Sequence, residues 1–203
     1  MKFGSVPGGT WSACLLAVLF CGCGQRGEEL GRFRTVADFE LTERSGRTVR
    51  RADLRGKILV VNFFFSGCSA QCLALSSRMS EVEYLTARDV DVVLLSLSVD
   101  PRTDTPETLA RYARTFTSNT NRWLFLTGEK QKIYPLIKES FLLPVAESEE
   151  ARRALDGAFI HSDKIALVDA TGVVRAYYDG MDAEAPKKIA LGIARLHREP
   201  VRR

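Results

Sequence analysis

The chain has 203 residues, of which 45% are apolar and 27% are charged, and its formal net charge at neutral pH is +4. This length suits one domain with short appendages, and the composition predicts an ordinary globular core. The small positive charge, without a run of five or more Lys or Arg, argues against a nucleic-acid-binding protein. No internal repeat or low-complexity tract is present.

The first residues predict an export signal. Lys2 gives a weakly positive start, and the apolar stretch from Trp11 to Phe20 is too short for a comfortable membrane span. The stretch runs into Cys21, Gly22 and Cys23, which resembles a bacterial lipoprotein signal with Cys23 as the acylated residue. A plain secretory signal or an uncleaved anchor is the alternative, and each version exports the body of the chain.

The export signal divides the chain into three parts. We expect a lipoprotein signal peptide at residues 1–22, a flexible tether at 23–33 and one folded domain at 34–198. The mature protein would be a membrane-anchored lipoprotein on the periplasmic or extracytoplasmic side of the bacterial cell envelope. Its only free thiols would be Cys68 and Cys72, so a framework of several disulfides is excluded.

Strands and helices alternate along the predicted domain. In chain order the sequence predicts a strand at 37–41, a turn at Ser45-Gly46, a strand at 58–65, a helix at about 70–87, a strand at 91–99, a helix starting after Thr105, a strand at 123–126, a helix-like segment at 129–140 interrupted by Pro135, a hairpin of strands 165–168 and 173–178, and a helix at 185–196. The almost wholly apolar strand at 58–65 is typical of a central strand that is covered on both faces. This order favours an α/β, thioredoxin-like fold, with a central mixed sheet flanked by helices.

Two cysteines lie where the central strand gives way to the following helix. Cys68 and Cys72 are four residues apart, and on a helix that spacing places two side chains on one face. The helix N-terminus favours anions, so the sequence predicts a lowered thiol pKa. Three interpretations stay open: two small core residues, a redox pair with three intervening residues instead of two, and a soft metal site that needs a further ligand.

The chain has only two histidines, and one of them is a candidate ligand. His197 lies near the end of the last predicted helix, where a polar or positive residue is favoured anyway. In a thioredoxin-like fold the loop that contains His161 faces the cysteine pair. Ordinary thioredoxins carry a cis-proline in that loop, whereas residues 145–185 contain no proline. Together with Cys68 and Cys72, His161 matches the equatorial ligand set of copper sites.

Several blocks of sequence resemble the Sco/SenC family of copper proteins, which serve cytochrome oxidase assembly. The blocks are Gly56-Lys57-Ile58-Leu59-Val60-Val61-Asn62-Phe63, the Cys68 and Cys72 pair at the family's three-residue spacing, Ser98-Val99-Asp100-Pro101-Arg102-Thr103-Asp104-Thr105-Pro106, His161-Ser162, and Leu167-Val168-Asp169-Ala170-Thr171-Gly172. The resemblance covers about residues 34–196. It implies that Cys68, Cys72 and His161 hold copper, as Cu(I) or Cu(II).

The resemblance also identifies a supporting residue and a departure. Asp100 matches a family acid near the site, with a supporting role at most, and by itself it reads as a turn or cap residue after a strand. The family usually has proline after each cysteine, whereas this chain has Ser69 and Leu73. Because proline fixes the backbone, we expect a more mobile ligand loop.

The resemblance implies a copper chaperone that delivers copper to the dinuclear copper site of cytochrome c oxidase. Its partners would be that oxidase subunit, a thiol reductant and, through the lipid anchor, a membrane, but no nucleic acid. The alternative is a thiol-disulfide oxidoreductase that uses Cys68 and Cys72, for example to reduce the oxidase copper-site cysteines, so the sequence leaves open whether the protein is an enzyme. A peroxidase is disfavoured because the sequence before Cys68 lacks the required Thr.

Overall fold

The computed structural model describes Met1 and residues 30–68, 71–143 and 162–200. Its regular elements are β1 (Glu40–Glu43), β2 (Thr48–Arg50), β3 (Ile58–Phe64), α1 (Gln71–Leu85), β4 (Val92–Ser98), α2 (Pro106–Ala113), β5 (Trp123–Thr127), α3 (Lys130–Pro135), β6 (Lys164–Val168), β7 (Val174–Asp179) and α4 (Ala185–Leu196). A 3-10 helix at Arg51–Leu54 precedes β3, and a π-helical turn at Leu136–Ser140 follows α3.

The strands form one mixed sheet in the order β2-β1-β5-β4-β3-β6-β7. Strands β3, β4 and β5 are parallel neighbours, whereas β6 and β7 continue the sheet in antiparallel fashion beyond β3. The carboxyl ends of β3 and β4 therefore lie together, and we call this end of the sheet, with residues 65–68, 71–72 and 98–105, the cysteine edge. The opposite end, with residues 31–36, 55–57 and 169–173, is the base.

Strand β3 is buried along its whole length, as its apolar sequence predicts. Its side chains alternate between two cores, because successive residues of a strand point to opposite faces. Phe63 packs on one face against Phe141, with 5.1 Å between the ring centroids. Phe64 belongs to the other core, together with Leu75 of α1 and Ile189 of α4. Helices α1, α2 and α4 thus cover one face of the sheet, and α3 with the π-helical turn covers the other.

Most predicted elements are confirmed, with shifted ends at the weaker ones. Thr105 caps α2, since its hydroxyl oxygen accepts the N–H of Thr108 at 3.3 Å. The first strand occupies Glu40–Glu43 instead of 37–41. The segment at 129–140 is not one helix: α3 ends at Pro135 and a π-helical turn follows, because proline has no N–H for the next helical hydrogen bond.

Within the described residues no helix combines the length and the apolar character that a membrane span requires. The predicted signal peptide, apart from Met1, lies outside the described residues, and so does Cys23. The boundaries predicted for signal, tether and domain stay predictions.

Candidate metal and redox site

The two cysteines lie together at the carboxyl end of β3. Cys68 is half-buried in the turn after the strand, and its N–H donates to the carbonyl of Phe65 at 3.2 Å. Cys72 is the second residue of α1 and is only 5% exposed. The N–H of Cys72 donates to the Sγ atom of Cys68 at 3.4 Å, so the first sulfur caps the helix that carries the second. Both thiols are free.

The electrostatics of Cys72 differ from the sequence-based expectation. Burial raises the pKa of the Cys72 thiol to about 12, and the neighbouring Cys68 and Asp104 act in the same direction. Only a backbone hydrogen bond from Phe65 opposes this shift. The prediction that the helix N-terminus lowers the thiol pKa is therefore wrong for Cys72, because desolvation of the buried thiol dominates. Cys72 is a neutral thiol that must lose its proton to ligate a metal ion.

A buried carboxylate that the sequence analysis did not single out holds the turn before Cys68. Asp104 is fully buried, and both of its oxygens lie 3.2 Å from the backbone nitrogen of Ser66. It also accepts the hydroxyl proton of Ser66, and the hydroxyl of Ser98 donates to it at 2.5 Å. Burial raises the pKa of Asp104, and the hydrogen bonds from Ser66 and Ser98 offset this only in part.

Asp100 has the turn role that its position after β4 indicates. It is 7% exposed, and its N–H donates to the Ser98 hydroxyl oxygen at 3.1 Å. Its carbonyl oxygen accepts the N–H groups of Thr103 and Asp104 at 3.2 and 2.9 Å. These backbone bonds close the turn that places Asp104 under the cysteine loop.

Aromatic and hydroxyl groups cover the other side of the α1 N-terminus. The Tyr112 hydroxyl lies 3.3 Å from the carbonyl oxygen of Cys72, to which it donates, and 2.9 Å from the hydroxyl of Ser76. The Tyr112 ring stacks on Phe64, with 5.0 Å between centroids. Burial raises the pKa of Tyr112, so its hydroxyl keeps its proton as a donor. The second cysteine is therefore fixed from the helix side as well.

The predicted third ligand, His161, lies outside the described residues. The next residue, Ser162, is described and leads into β6, which enters the sheet at the cysteine edge because it runs antiparallel to β3. Within residues 30–68, 71–143 and 162–200 no group of three His, Cys, Asp or Glu side chains could hold a metal ion. His197 lies far from the cysteines along α4 and contacts Asp91 at 3.0 Å.

The residues that are described fit a soft metal ion. Two free thiols, the sulfur of one at 3.4 Å from the backbone nitrogen of the other, offer a two-point thiolate ligand set. Thiolates favour Cu(I) or Zn, and an imidazole would complete a site of the copper type. The same two sulfurs can exchange two electrons as a dithiol and disulfide couple.

Comparisons with a family model and with known proteins agree on one family. A family model described as SCO1/SenC matches residues 27–198. The SCO1 protein homolog of Bacillus subtilis is 28% identical over 173 residues, which cover 84% of this chain and 87% of that protein. A Stutzerimonas stutzeri protein that is named for copper binding is 26% identical over 154 residues, covering 73% of this chain and 71% of that protein.

Solved structures agree with the predicted fold. A SCO1/SenC family lipoprotein from Bacillus anthracis superposes with a TM-score of 0.73 at 29% identity, covering 81% of this chain and 95% of that chain. BsSco is a member of the Sco family of cytochrome c oxidase assembly proteins in which a disulfide switch was identified. It superposes with a TM-score of 0.71 at 25% identity, covering 87% of this chain and 99% of that chain. The thioredoxin-like fold with a mixed, helix-flanked sheet is thereby confirmed.

Proposed function

Since the chain belongs to the SCO1/SenC family, we propose that it is a copper-binding chaperone that delivers copper to the dinuclear copper site of cytochrome c oxidase. The observation that carries the proposal is the pair of free thiols at the cysteine edge, with Cys72 N–H bonded to Cys68 Sγ at 3.4 Å. A relative named for copper binding supports the cargo, and BsSco, a cytochrome c oxidase assembly protein, supports the client.

Cys68, Cys72 and His161 would hold the copper ion. The half-buried Cys68 is the sulfur that a partner can reach, whereas the buried Cys72 is held by the helix and by Tyr112. Two thiolates favour Cu(I), and an imidazole ligand accommodates Cu(II) as well. A thiol reductant would keep the pair open for copper, because a disulfide between the two sulfurs removes both ligands.

The test is a copper titration of the reduced chain from residue 24, which contains every described element of the fold. We expect one tightly bound equivalent and a sulfur-to-copper charge-transfer absorption that His161→Ala removes. His197→Ala is the matched control, since His197 contacts Asp91 at 3.0 Å and should leave the absorption unchanged. Copper binding and charge-transfer absorption that His161→Ala leaves unchanged would refute the three-ligand site.

A thiol-disulfide oxidoreductase is the second candidate, favoured by the adjacent free thiols and by the disulfide switch described for BsSco. In that function His161→Ala would retain activity, whereas Cys68→Ser or Cys72→Ser would abolish the reduction of a dithiol client. A reduction potential below about −300 mV, typical of structural disulfides, would argue against this role. The client to assay is a peptide that contains the oxidase copper-site cysteines.

The proposal includes a lipid anchor at Cys23 in the bacterial cell envelope, which the lipoprotein among the solved relatives supports. At the base, Arg175 donates to the carbonyl of Gly31 at 2.6 Å, so the tether would enter the fold opposite the cysteine edge. The copper site would then face away from the membrane. Cys23→Ser should move the protein from the membrane fraction to the soluble fraction, whereas Cys14→Ser, within the signal, should not.

A further inference from the structure

The carboxylate of Asp104 is buried without a cation. In the part of the chain that the structure describes, no Lys or Arg forms an ion pair with it, and its partners are two serine hydroxyls and one backbone N–H. A buried carboxylate that lacks a positive partner is costly for stability. A neutral side chain of the same shape would cost less stability, so the carboxylate is a costly way to hold its partners in place.

What Asp104 holds is the stretch of chain between β3 and Cys68. The parallel ladder pairs Phe64 with Ser98, and the N–H of Val99 bonds to the carbonyl of Phe64 at 2.9 Å. Beyond Phe64 the chain leaves the sheet, and the next residue but one, Ser66, gives both its N–H and its hydroxyl to Asp104. These charge-assisted hydrogen bonds fix the start of the turn that carries the first sulfur.

We propose that Asp104 is a positioning residue of the cysteine pair: by holding Ser66 from the loop after β4, it places the Sγ atom of Cys68 against the N–H of Cys72 and pre-arranges the two sulfurs for one copper ion. The inference rests on the proposed function, because copper affinity is the property that it explains. Residues that orient metal ligands through hydrogen bonds commonly contribute strongly to affinity.

The experiment compares Asp104→Asn with Asp169→Asn. Asp169 is the matched control because it is also buried, at 8% exposed, and also accepts several hydrogen bonds, but at the base. Cu(I) affinity is measured by competition with a chromophoric chelator, the Cu(II) charge-transfer band by absorption, and thermal unfolding by circular dichroism. All binding is measured well below the melting temperatures.

We expect Asp104→Asn to weaken copper binding by about 10-fold to 100-fold and to move the charge-transfer band, as for other residues that orient metal ligands. Asp169→Asn should lower the melting temperature but leave the copper affinity and the band as in the unmodified chain. Equal losses of affinity in both variants, or an unchanged band in Asp104→Asn, would overturn the proposal.

Two further measurements keep the proposal open to refutation. If Asp104→Asn does not fold, Ser66→Ala removes the hydroxyl bond alone, and copper binding as in the unmodified chain would overturn the inference. If the unmodified chain binds no copper, the proposed function fails on its own. The role of Asp104 is then read from the Cys68 and Cys72 dithiol equilibrated with glutathione and glutathione disulfide, where a shifted potential in Asp104→Asn supports it and an unshifted one refutes it.

Discussion

The two ends of the sheet hold buried carboxylates in opposite ways. At the base, burial alone would raise the pKa of Asp169, but hydrogen bonds from Thr171, Val173 and Arg175 outweigh burial and lower it. At the cysteine edge, burial dominates and the pKa of Asp104 is raised. The hydroxyl and amide donors of Asp169 are joined by the Arg175 guanidinium at 3.2 Å. Among the described residues, in contrast, Asp104 has only hydroxyl and amide donors and is repelled by the nearby Asp100. The carboxylate of Asp169 is therefore held in a stabilising set of contacts at the base, whereas the burial of the Asp104 carboxylate at the cysteine edge costs stability.

The base also closes the fold. The buried Arg175 donates to both oxygens of Glu199 at 2.7 and 2.9 Å and to the carbonyl of Gly31 at 2.6 Å. One guanidinium therefore joins the turn at Asp169 to the first and the last parts of the described chain. The base therefore ties both ends of the described domain to the sheet.

Removing the buried cation at the base of the sheet should produce the largest change in stability. Arg175→Ala removes the buried cation of the Asp169 carboxylate, and we expect a loss of about 3–5 kcal/mol in the free energy of unfolding. Denaturant unfolding of the copper-free protein measures this loss. The copper affinity of the fraction that stays folded should not change, because Arg175 lies at the end of the sheet opposite the cysteines.

Arg32→Ala is the control for this prediction. The Arg32 side chain is 59% exposed and lies 4.0 Å from Asp169, so its removal should change the free energy of unfolding by less than about 1 kcal/mol. If Arg32→Ala and Arg175→Ala destabilise the protein equally, the net charge of the base, rather than the buried pair, determines its stability.

Two glycines with left-handed backbone, one in the turn after β1 and one at the base, allow the cost of backbone strain to be separated from the cost of packing. Gly172 has a φ of +90°, and a Cβ atom there would lie 1.9 Å from a guanidinium nitrogen of the buried Arg51. Gly46 has a φ of +85° with nothing within 4 Å of such a Cβ. Gly46→Ala should cost about 1–2 kcal/mol from the left-handed backbone alone, and Gly172→Ala should cost more because Arg51 must move. Equal values would show that Arg51 yields freely.

The sequence predicted the parts of the fold that hydrophobic periodicity determines. Helix α4 matches its predicted range of 185–196, and the central strand differs from its prediction by one residue. The missed strand β2 has three residues, of which Thr48 and Arg50 are exposed. Such a short edge strand depends on its pairing with β1, which local sequence does not encode.

The site was predictable where spacing determines it and not where packing does. The four-residue spacing indicated that Cys68 and Cys72 would lie together. Two aspartates lie in the loop after β4, and the sequence did not indicate that Asp104, rather than Asp100, would reach Ser66, which is 38 residues away along the chain. The thiol pKa was mispredicted for a related reason, since the burial of Cys72 depends on the core around Leu75.

The pH dependence of the free energy of unfolding should show the smallest effect, but also the sharpest contrast between the cysteine edge and the base. The lowered pKa of Asp169 means that its contribution to stability is present above its unfolded-state value of 3.8 and is lost as the pH falls through its lower folded-state value. The raised pKa of Asp104 has the opposite sign, because the folded state binds that proton more tightly and gains stability on acidification. In copper-free protein, Asp169→Asn should therefore flatten the loss of stability as the pH falls below 3.8, and Asp104→Asn should steepen the loss of stability as the pH falls from neutral to 3.8. Changes of the same sign in both variants would mean that the two buried carboxylates are held alike.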